Sequence, residues 1–188
     1  DAGSNGSGGR CHWCISPGCQ YILLQRQERL QQNTCRTTED SVAEIIKQGY
    51  HVGALGDIDF FKRVNDTYGH DCGDVVLTEI AKRLKCFMRG KGYAVRWGGE
   101  EFLLVFPEFH IDEAEEVMNE FIHELDAHSV SYKEETEVHI TMTFGIVEAG
   151  EQFANIDSMV SGADRRLYIG KQNGRNQIVA EERSEQDL

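Results

Sequence analysis

The spacing of apolar positions changes along the chain, and the change is clearest after His51. Residues 52–58 form a short, mostly apolar run, which is typical of a buried strand. Residues 75–88 place apolar side chains every three to four positions, which predicts an amphipathic helix. Residues 93–96 and 102–106 are two short apolar segments separated by Gly98-Gly99, which predicts a β-hairpin.

The full pattern predicts an α/β (α+β) fold with a central, mainly antiparallel sheet flanked by helices, which we place on one face. The tight hairpin argues against a purely parallel sheet, because parallel neighbours need long crossovers. Helices are predicted over 60–68, 75–88, 111–127 and 154–173, and strands over 52–58, 93–96, 102–106, 138–147 and 177–180. Two shorter helices are predicted earlier, over 21–32 and 38–47.

The length of 188 residues, 40% of them hydrophobic, fits one ordinary domain with a real core. Residues 1–10 are rich in glycine and serine, which predicts a flexible tail or a cloning remnant. The predicted domain covers 11–183, with an atypical opening of about 35 residues, and 184–188 form a C-terminal tail.

The formal net charge of −13 argues against a partner that is a nucleic acid polymer or an anionic membrane surface. No apolar run approaches the roughly 20 residues that span a bilayer, and the start lacks a signal-peptide pattern. We therefore expect a cytoplasmic fragment without membrane contact. An upstream sensor or membrane segment in a longer parent protein stays open.

The cysteines are concentrated near the start of the chain. Four of the six lie in the first 35 residues: Cys11, Cys14, Cys19 and Cys35. The Cys-His-Trp-Cys spacing suits a metal ligand pair, but the other two cysteines do not repeat it. Reduced or packing cysteines are the favoured interpretation, and a structural metal is the alternative.

Acidic residues stand at two predicted strand ends. Asp57 and Asp59 close the first strong strand, and Glu100 and Glu101 follow the glycine pair at the hairpin tip. If the two strands are neighbours, Asp57 and Glu100 converge and repel each other unless a cation lies between them. Oxygen ligands of this kind favour magnesium or manganese. The alternative is solvated strand ends and a polar turn.

Four blocks of sequence decide between these interpretations. They are Arg-Trp-Gly-Gly-Glu-Glu-Phe at 96–102, Asp-Ile-Asp-Phe-Phe-Lys at 57–62, Asn-Asp-Thr-Tyr-Gly-His with Gly-Asp within 65–74, and Ala-Asp, Leu-Tyr, Lys and Gly-Arg-Asn within 163–176. In order and spacing they resemble the GGDEF family, the diguanylate cyclases, in the GGEEF form. One such motif alone would be weak, whereas four in the family's order are strong.

The resemblance implies a fold similar to that of nucleotidyl cyclases and polymerase palms, and a reaction that joins two GTP molecules into cyclic di-GMP. By this resemblance Asp57 and Glu100 are catalytic ligands of Mg²⁺ or Mn²⁺, and the Ile58 carbonyl is a further ligand. Glu101 is a catalytic carboxylate beside them. The metals would gather the triphosphate and lower the pKa of the attacking 3′-hydroxyl.

Substrate-binding positions follow from the same resemblance. Lys171 and Arg175 are four residues apart on a predicted helix, so we expect them to share a face and reach the β- and γ-phosphates. The amides of Phe60 and Phe61 open a predicted helix, which suits phosphate oxygens. A solvated basic helix end and core phenylalanines are the alternatives.

The resemblance also assigns Asn65 and Asp74 to guanine, since a carboxylate can accept from both N1–H and the 2-amino group. They therefore predict GTP over ATP. Without the resemblance, they would be a turn residue and a helix cap. His70 is interpreted as a structural neighbour of the turn.

The two-fold symmetric product implies a homodimer, because each domain has one recognisable nucleotide site. Many family members also carry an inhibitory product site, Arg-x-x-Asp, ahead of the signature. Here Arg89 is present but Gly92 replaces the aspartate, so we expect weak or absent product inhibition. The family's usual N-terminal block is missing in clear form.

Three alternatives stay open from the sequence. A degenerate domain could bind GTP or cyclic di-GMP without catalysis, but the acidic and basic positions are retained. A cyclase that makes a mixed dinucleotide is disfavoured by the retained Asp74. A redox or metal sensor built from the N-terminal cysteines would be compatible with catalysis.

Overall fold

The computed structural model describes residues 51–133, 136–150 and 152–180, which form two sheets and four helices. The strands are β1 (His51–Ile58), β2 (Tyr93–Arg96), β3 (Glu101–Pro107), β4 (Val130–Tyr132), β5 (Thr136–Val138), β6 (Met142–Glu148) and β7 (Ile178–Val179). The helices are α1 (Phe61–Tyr68), α2 (His70–Phe87), α3 (Ile111–Ala127) and α4 (Ile156–Gln172).

Several predictions concern parts of the chain outside the described residues. They are the flexible tail over 1–10, the helices over 21–32 and 38–47, the C-terminal tail over 184–188, and the metal site or packing role of Cys11, Cys14, Cys19 and Cys35.

The main sheet has five strands in the order β2-β3-β1-β6-β7. Its β2–β3, β3–β1 and β1–β6 pairs are antiparallel, and only β6–β7 is parallel. This parallel pair is connected through α4, as a crossover between parallel strands requires. The predicted mainly antiparallel sheet is confirmed.

Helices cover both faces of this sheet, so the expectation that they share one face was wrong. All eight residues of β1 are buried, which requires cover on both sides. Ala54 and Ile58 pack in the larger core with α1, α2 and α3. Leu55 points the other way and packs with Met159 and Leu167 of α4. Among the described residues, no helix is long and apolar enough to cross a membrane.

Two boundaries differ from prediction for local reasons. Helix α2 begins at His70 rather than at residue 75, because Gly69 alone, at φ 85°, turns the chain from α1 into α2. The predicted strand over 138–147 is divided into β5 and β6, and β5 pairs with β4 in a separate hairpin. Three-residue strands carry too little alternation to be detected in sequence.

Helix α4 lies unusually close to β6 at Gly145. A Cβ atom at this position would lie 2.0 Å from the Ala163 carbonyl oxygen and 2.4 Å from the Leu167 nitrogen. Only a residue without a side chain permits this approach. The contact matters beyond packing because α4 also carries Lys171 to the end of β1.

We predict that Gly145→Ala lowers the free energy of unfolding by about 1–3 kcal/mol, because α4 must move away from the sheet. Chemical denaturation at constant m value measures the change. Gly150→Ala is the matched control, since a Cβ there meets open space. Equal stability of the two variants would contradict the close approach.

Candidate active site

Asp57 and Glu100 lie together at one end of the sheet. Strand β1 pairs with β3 so that Asp57 stands opposite Glu101, and the Ile58 amide donates to the Glu100 carbonyl at 3.3 Å. The convergence expected from the sequence is therefore present in the structure. Asp57 faces the side of the sheet that α4 covers, because it alternates with Leu55.

Burial makes both carboxylates less acidic, and a neighbouring carboxylate adds to the effect on each: Asp59 on Asp57, and Asp57 on Glu100. Desolvation raises the pKa of Asp57 above its ordinary value, partly opposed by a hydrogen bond and the charge of Lys171. Desolvation is the main cause that raises the pKa of Glu100, and the negative charge of Asp57 raises it further. Lys171 Nζ lies 3.0 Å from Asp57 Oδ2. One lysine thus offsets part of the charge of a pair that still favours a further cation.

Glu101 lies beside this pair but faces a different cavity. Its side chain lines a cavity together with Trp97 of the hairpin and Asp164 of α4. The charge of Glu101 adds to the repulsion on Glu100. Its catalytic role stays a prediction.

Sequence reasoning gave no role to Arg96, which holds the glycine turn. Its Nη2 donates to the Gly99 carbonyl at 2.6 Å, and its Nε donates to the Gly98 carbonyl at 3.2 Å. These bonds fix the tip on which Glu100 stands. The signal in the sequence is an arginine two residues before the glycine pair, where a bend brings it back onto their carbonyls.

Lys171 and Arg175 both lie near Asp57, although the predicted reason was wrong. Helix α4 ends at Gln172, so Arg175 lies in the loop after it, at φ 66°. Its charge lowers the pKa of Asp57, as does that of Lys171. The two cations therefore converge by a turn of the chain and do not share a helical face.

The turn between β1 and α1 presents backbone to the same region. Phe60 adopts a left-handed conformation, its ring is 57% exposed, and the Arg175 guanidinium lies 4.4 Å from the ring centroid. Phe61 is buried in the core. The first turn of α1 contains no acidic residue, which leaves its amides suited to an anion. Phosphate binding by the Phe60 and Phe61 amides stays a prediction.

Asn65 lies on α1 and Asp74 on α2, two helices that pack against each other. A Cβ at Gly73 would lie 2.0 Å from Asn65 Oδ1, so the Asn65 carboxamide rests against the backbone next to Asp74. Asn65 is half-buried and Asp74 is exposed. His70 is the exposed first residue of α2. Guanine binding by Asn65 and Asp74 stays a prediction.

The sequence model described as diguanylate cyclase, GGDEF domain, matches residues 28–177, which is more than half of the chain. The chain belongs to this family. The match lies inside the single domain predicted over 11–183. Membership of the GGDEF family implies the use of a divalent metal.

Two relatives illustrate the similarity. Diguanylate cyclase A of Treponema denticola is 37% identical over 123 residues, which cover 65% of this chain and 33% of the relative. Diguanylate cyclase DgcZ of Escherichia coli is 39% identical over 125 residues, which cover 66% of this chain and 42% of the relative. The chain thus spans less than half the length of these curated relatives.

Solved structures agree on the fold. Diguanylate cyclase SiaD of Pseudomonas aeruginosa, in complex with its activator SiaC, is 32% identical, with a TM-score of 0.63 over 86% of this chain and 56% of that one. The GGDEF domain of DgcB from Caulobacter crescentus, in complex with c-di-GMP, is 28% identical, with a TM-score of 0.69 over 76% and 86%. The predicted GGDEF fold class is confirmed.

We predict that Glu100→Gln stabilises the metal-free GGDEF domain at pH 7, by no more than about 1 kcal/mol because Glu100 is partly solvated. The raised pKa of Glu100 means that its ionised form costs stability above the folded-state pKa. As pH falls through that value toward the ordinary one, near 4.3, Glu100 takes up a proton and the difference should disappear. Thermal unfolding across pH measures the gap.

Glu116→Gln is the control, because Glu116 is an exposed carboxylate on α3. A gap between Glu100→Gln and the parent protein that stays constant down to pH 4, or a loss of stability at pH 7, would contradict the electrostatic account.

Proposed function

We propose that this GGDEF domain is a diguanylate cyclase, which condenses two GTP molecules into cyclic di-GMP and releases two pyrophosphates. The observation that carries the proposal is the meeting of Asp57 and Glu100 at one sheet end, with Lys171 Nζ 3.0 Å from Asp57. Carboxylates that attract a metal thus stand beside a cation that attracts phosphate. Two relatives that carry the name diguanylate cyclase support the same activity.

Asp57 and Glu100 fit a divalent cation without a third acidic ligand. The described residues contain no cluster of three histidine, cysteine or acidic side chains that could hold a metal. Mg²⁺ needs no such cluster, because it commonly takes one or two carboxylates and completes its shell with water and substrate phosphates. Mg²⁺ or Mn²⁺ would bind Asp57 and Glu100, with the Ile58 carbonyl as a further ligand. When bound, the cation would neutralise triphosphate charge and favour ionisation of the attacking hydroxyl.

Lys171 and Arg175 would hold the β- and γ-phosphates. In the structure, Lys171 pairs with Asp57 and Arg175 stacks on Phe60. A cation on Asp57 would release Lys171 toward the phosphates, since the carboxylate no longer needs it. The amides of Phe60 and Phe61 would also donate to phosphate oxygens.

Asn65 and Asp74 would read the guanine. An ionised carboxylate at Asp74 accepts from N1–H and the 2-amino group, and adenine lacks this donor pair. ATP would leave the carboxylate desolvated without its partners, which disfavours it. Asn65 lies against Gly73, the residue that precedes Asp74 in the chain, which supports a shared role.

The reaction needs two nucleotide sites that face each other. The 3′-oxygen of each GTP attacks the α-phosphorus of the other, loses its proton, and displaces pyrophosphate as the bond to the β-phosphate oxygen breaks. The described residues provide one set of groups that would bind metal and phosphate, so a second copy of the chain would supply the second nucleotide. Holding the two nucleotides in place also supplies much of the rate.

Product inhibition through the Arg89 position would be weak. Gly92 stands where the family's inhibitory aspartate is expected, and a Cβ there would lie 2.0 Å from the Val105 carbonyl oxygen. The local packing of this chain therefore excludes a carboxylate without a backbone shift, and Arg89 lacks that partner for a bound dinucleotide.

We predict that the protein converts GTP to cyclic di-GMP with Mg²⁺ or Mn²⁺, and that Glu100→Ala lowers the rate by at least about a hundredfold. Chromatography of the products measures both. Glu116→Ala removes an exposed carboxylate in the first half of α3 and should leave the rate unchanged. Binding of GTP without turnover by the parent protein would instead indicate a nucleotide sensor.

We also predict that the rate per domain falls on dilution, because each turnover needs two domains. Initial rates measured over roughly a hundredfold range of protein concentration show how the rate per domain depends on concentration. A total rate strictly proportional to protein concentration, down to the lowest active concentration, would contradict the dimeric mechanism.

A further inference from the structure

Asp59 lies two residues after Asp57, but its surroundings differ. Its side chain is only 4% exposed. The carboxylate accepts hydrogen bonds from Thr141 Oγ1 at 2.8 Å, from Thr143 Oγ1 at 2.7 Å and from the backbone amide of Asn176 at 3.0 Å. A buried carboxylate with three donors is already compensated and does not need a cation.

One of these bonds comes from Thr143 in β6, and a second from Thr141, which directly precedes β6. The third comes from Asn176 in the loop after α4. That loop is strained, since Arg175 and Asn176 both adopt left-handed conformations, at φ 66° and 48°. Phe60, the residue next to Asp59, is left-handed as well, at φ 56°. Residues other than glycine rarely adopt this backbone conformation, and they keep it only where the surrounding structure fixes it.

Asp59 thus connects the two backbone segments that flank the phosphate site. On one side is the turn at Phe60, and on the other the loop that carries Arg175. Arg175 also lies over the Phe60 ring, which joins the same segments at their outer side. Loss of the hydrogen bonds of Asp59 would loosen both segments. It would not change any group that is proposed to contact the nucleotide.

We propose that Asp59 is a positioning residue that joins the Phe60 turn and the Arg175 loop into one triphosphate-binding surface. The identity of the ligand rests on the proposed function, whereas the connection itself rests on the hydrogen bonds. Service as a third carboxylate ligand of the metal is the competing role of Asp59, and its bonds to two threonine hydroxyls and one backbone amide argue against it.

Asp59→Ala and Asp59→Asn separate the two roles. An asparagine oxygen can still accept from the Asn176 amide, while its NH₂ group donates to a threonine hydroxyl. A neutral amide is a much poorer metal ligand than a carboxylate. Positioning therefore predicts that Asp59→Asn retains most of the function, whereas metal ligation predicts that both variants fail alike.

The probes are 3′-deoxy-GTP, which cannot react, and GMP, each titrated with Mg²⁺ present. Asp59→Ala should weaken 3′-deoxy-GTP by about tenfold or more and leave GMP within about twofold. Asp59→Asn should stay within about threefold of the parent protein for both. In nucleotide-free protein, hydrogen exchange at the Asn176 amide should accelerate in Asp59→Ala.

Val117→Ala is the control for lost stability, because it opens a cavity in the core. Val117 lies in the first half of α3, and this helix begins beside Glu148, at the end of the sheet far from Asp57. If Asp59→Ala does not fold, Thr143→Val removes one donor and should show the same selective loss, in smaller measure. Equal losses for GMP and 3′-deoxy-GTP, or equal failure of Asp59→Asn and Asp59→Ala, would overturn the proposal. Failure of the parent protein to bind 3′-deoxy-GTP would instead refute the proposed function.

Discussion

The repulsion between two partly buried carboxylates at the end of β1 and β3 is the constraint on which the site depends. Pairing of these strands forces Asp57 and Glu100 together, and burial raises the pKa of both. The fold accepts this cost and offsets it only in part, through Lys171. A site that is incompletely neutralised suits a divalent cation and, under the proposed function, the nucleotide that accompanies it.

The remaining architecture serves to bring cations and backbone amides to that point. Helix α4 covers the face to which Asp57 points, and the absent side chain at Gly145 lets it approach closely enough for Lys171 to reach. The loop after α4 turns Arg175 back toward the same place, and Asp59 holds that loop by the Asn176 amide. Stability and function thus draw on the same few contacts around the end of β1.

Much of this was predictable from the sequence, and the misses have physical causes. The GGEEF hairpin and the buried run of β1 indicated two strands that end in acidic residues, and the structure supplies the adjacency on which the meeting of Asp57 with Glu100 depended. The second helical layer was missed although β1 is buried on both faces, because a continuous apolar run does not say what covers it. Arg175 was placed on the helix of Lys171 from the four-residue spacing alone, although the predicted helix already ended at residue 173. The role of Asp59 depends on β6 and a distant loop, which no local pattern reveals.

The most direct measurement is the anomalous scattering of Mn²⁺ in crystals of this protein grown with a GTP analogue. The account predicts a peak between the carboxylates of Asp57 and Glu100, at roughly 2.0–2.3 Å from their oxygens and in contact with the triphosphate. A peak elsewhere, or nucleotide bound with neither carboxylate near the metal, would contradict it.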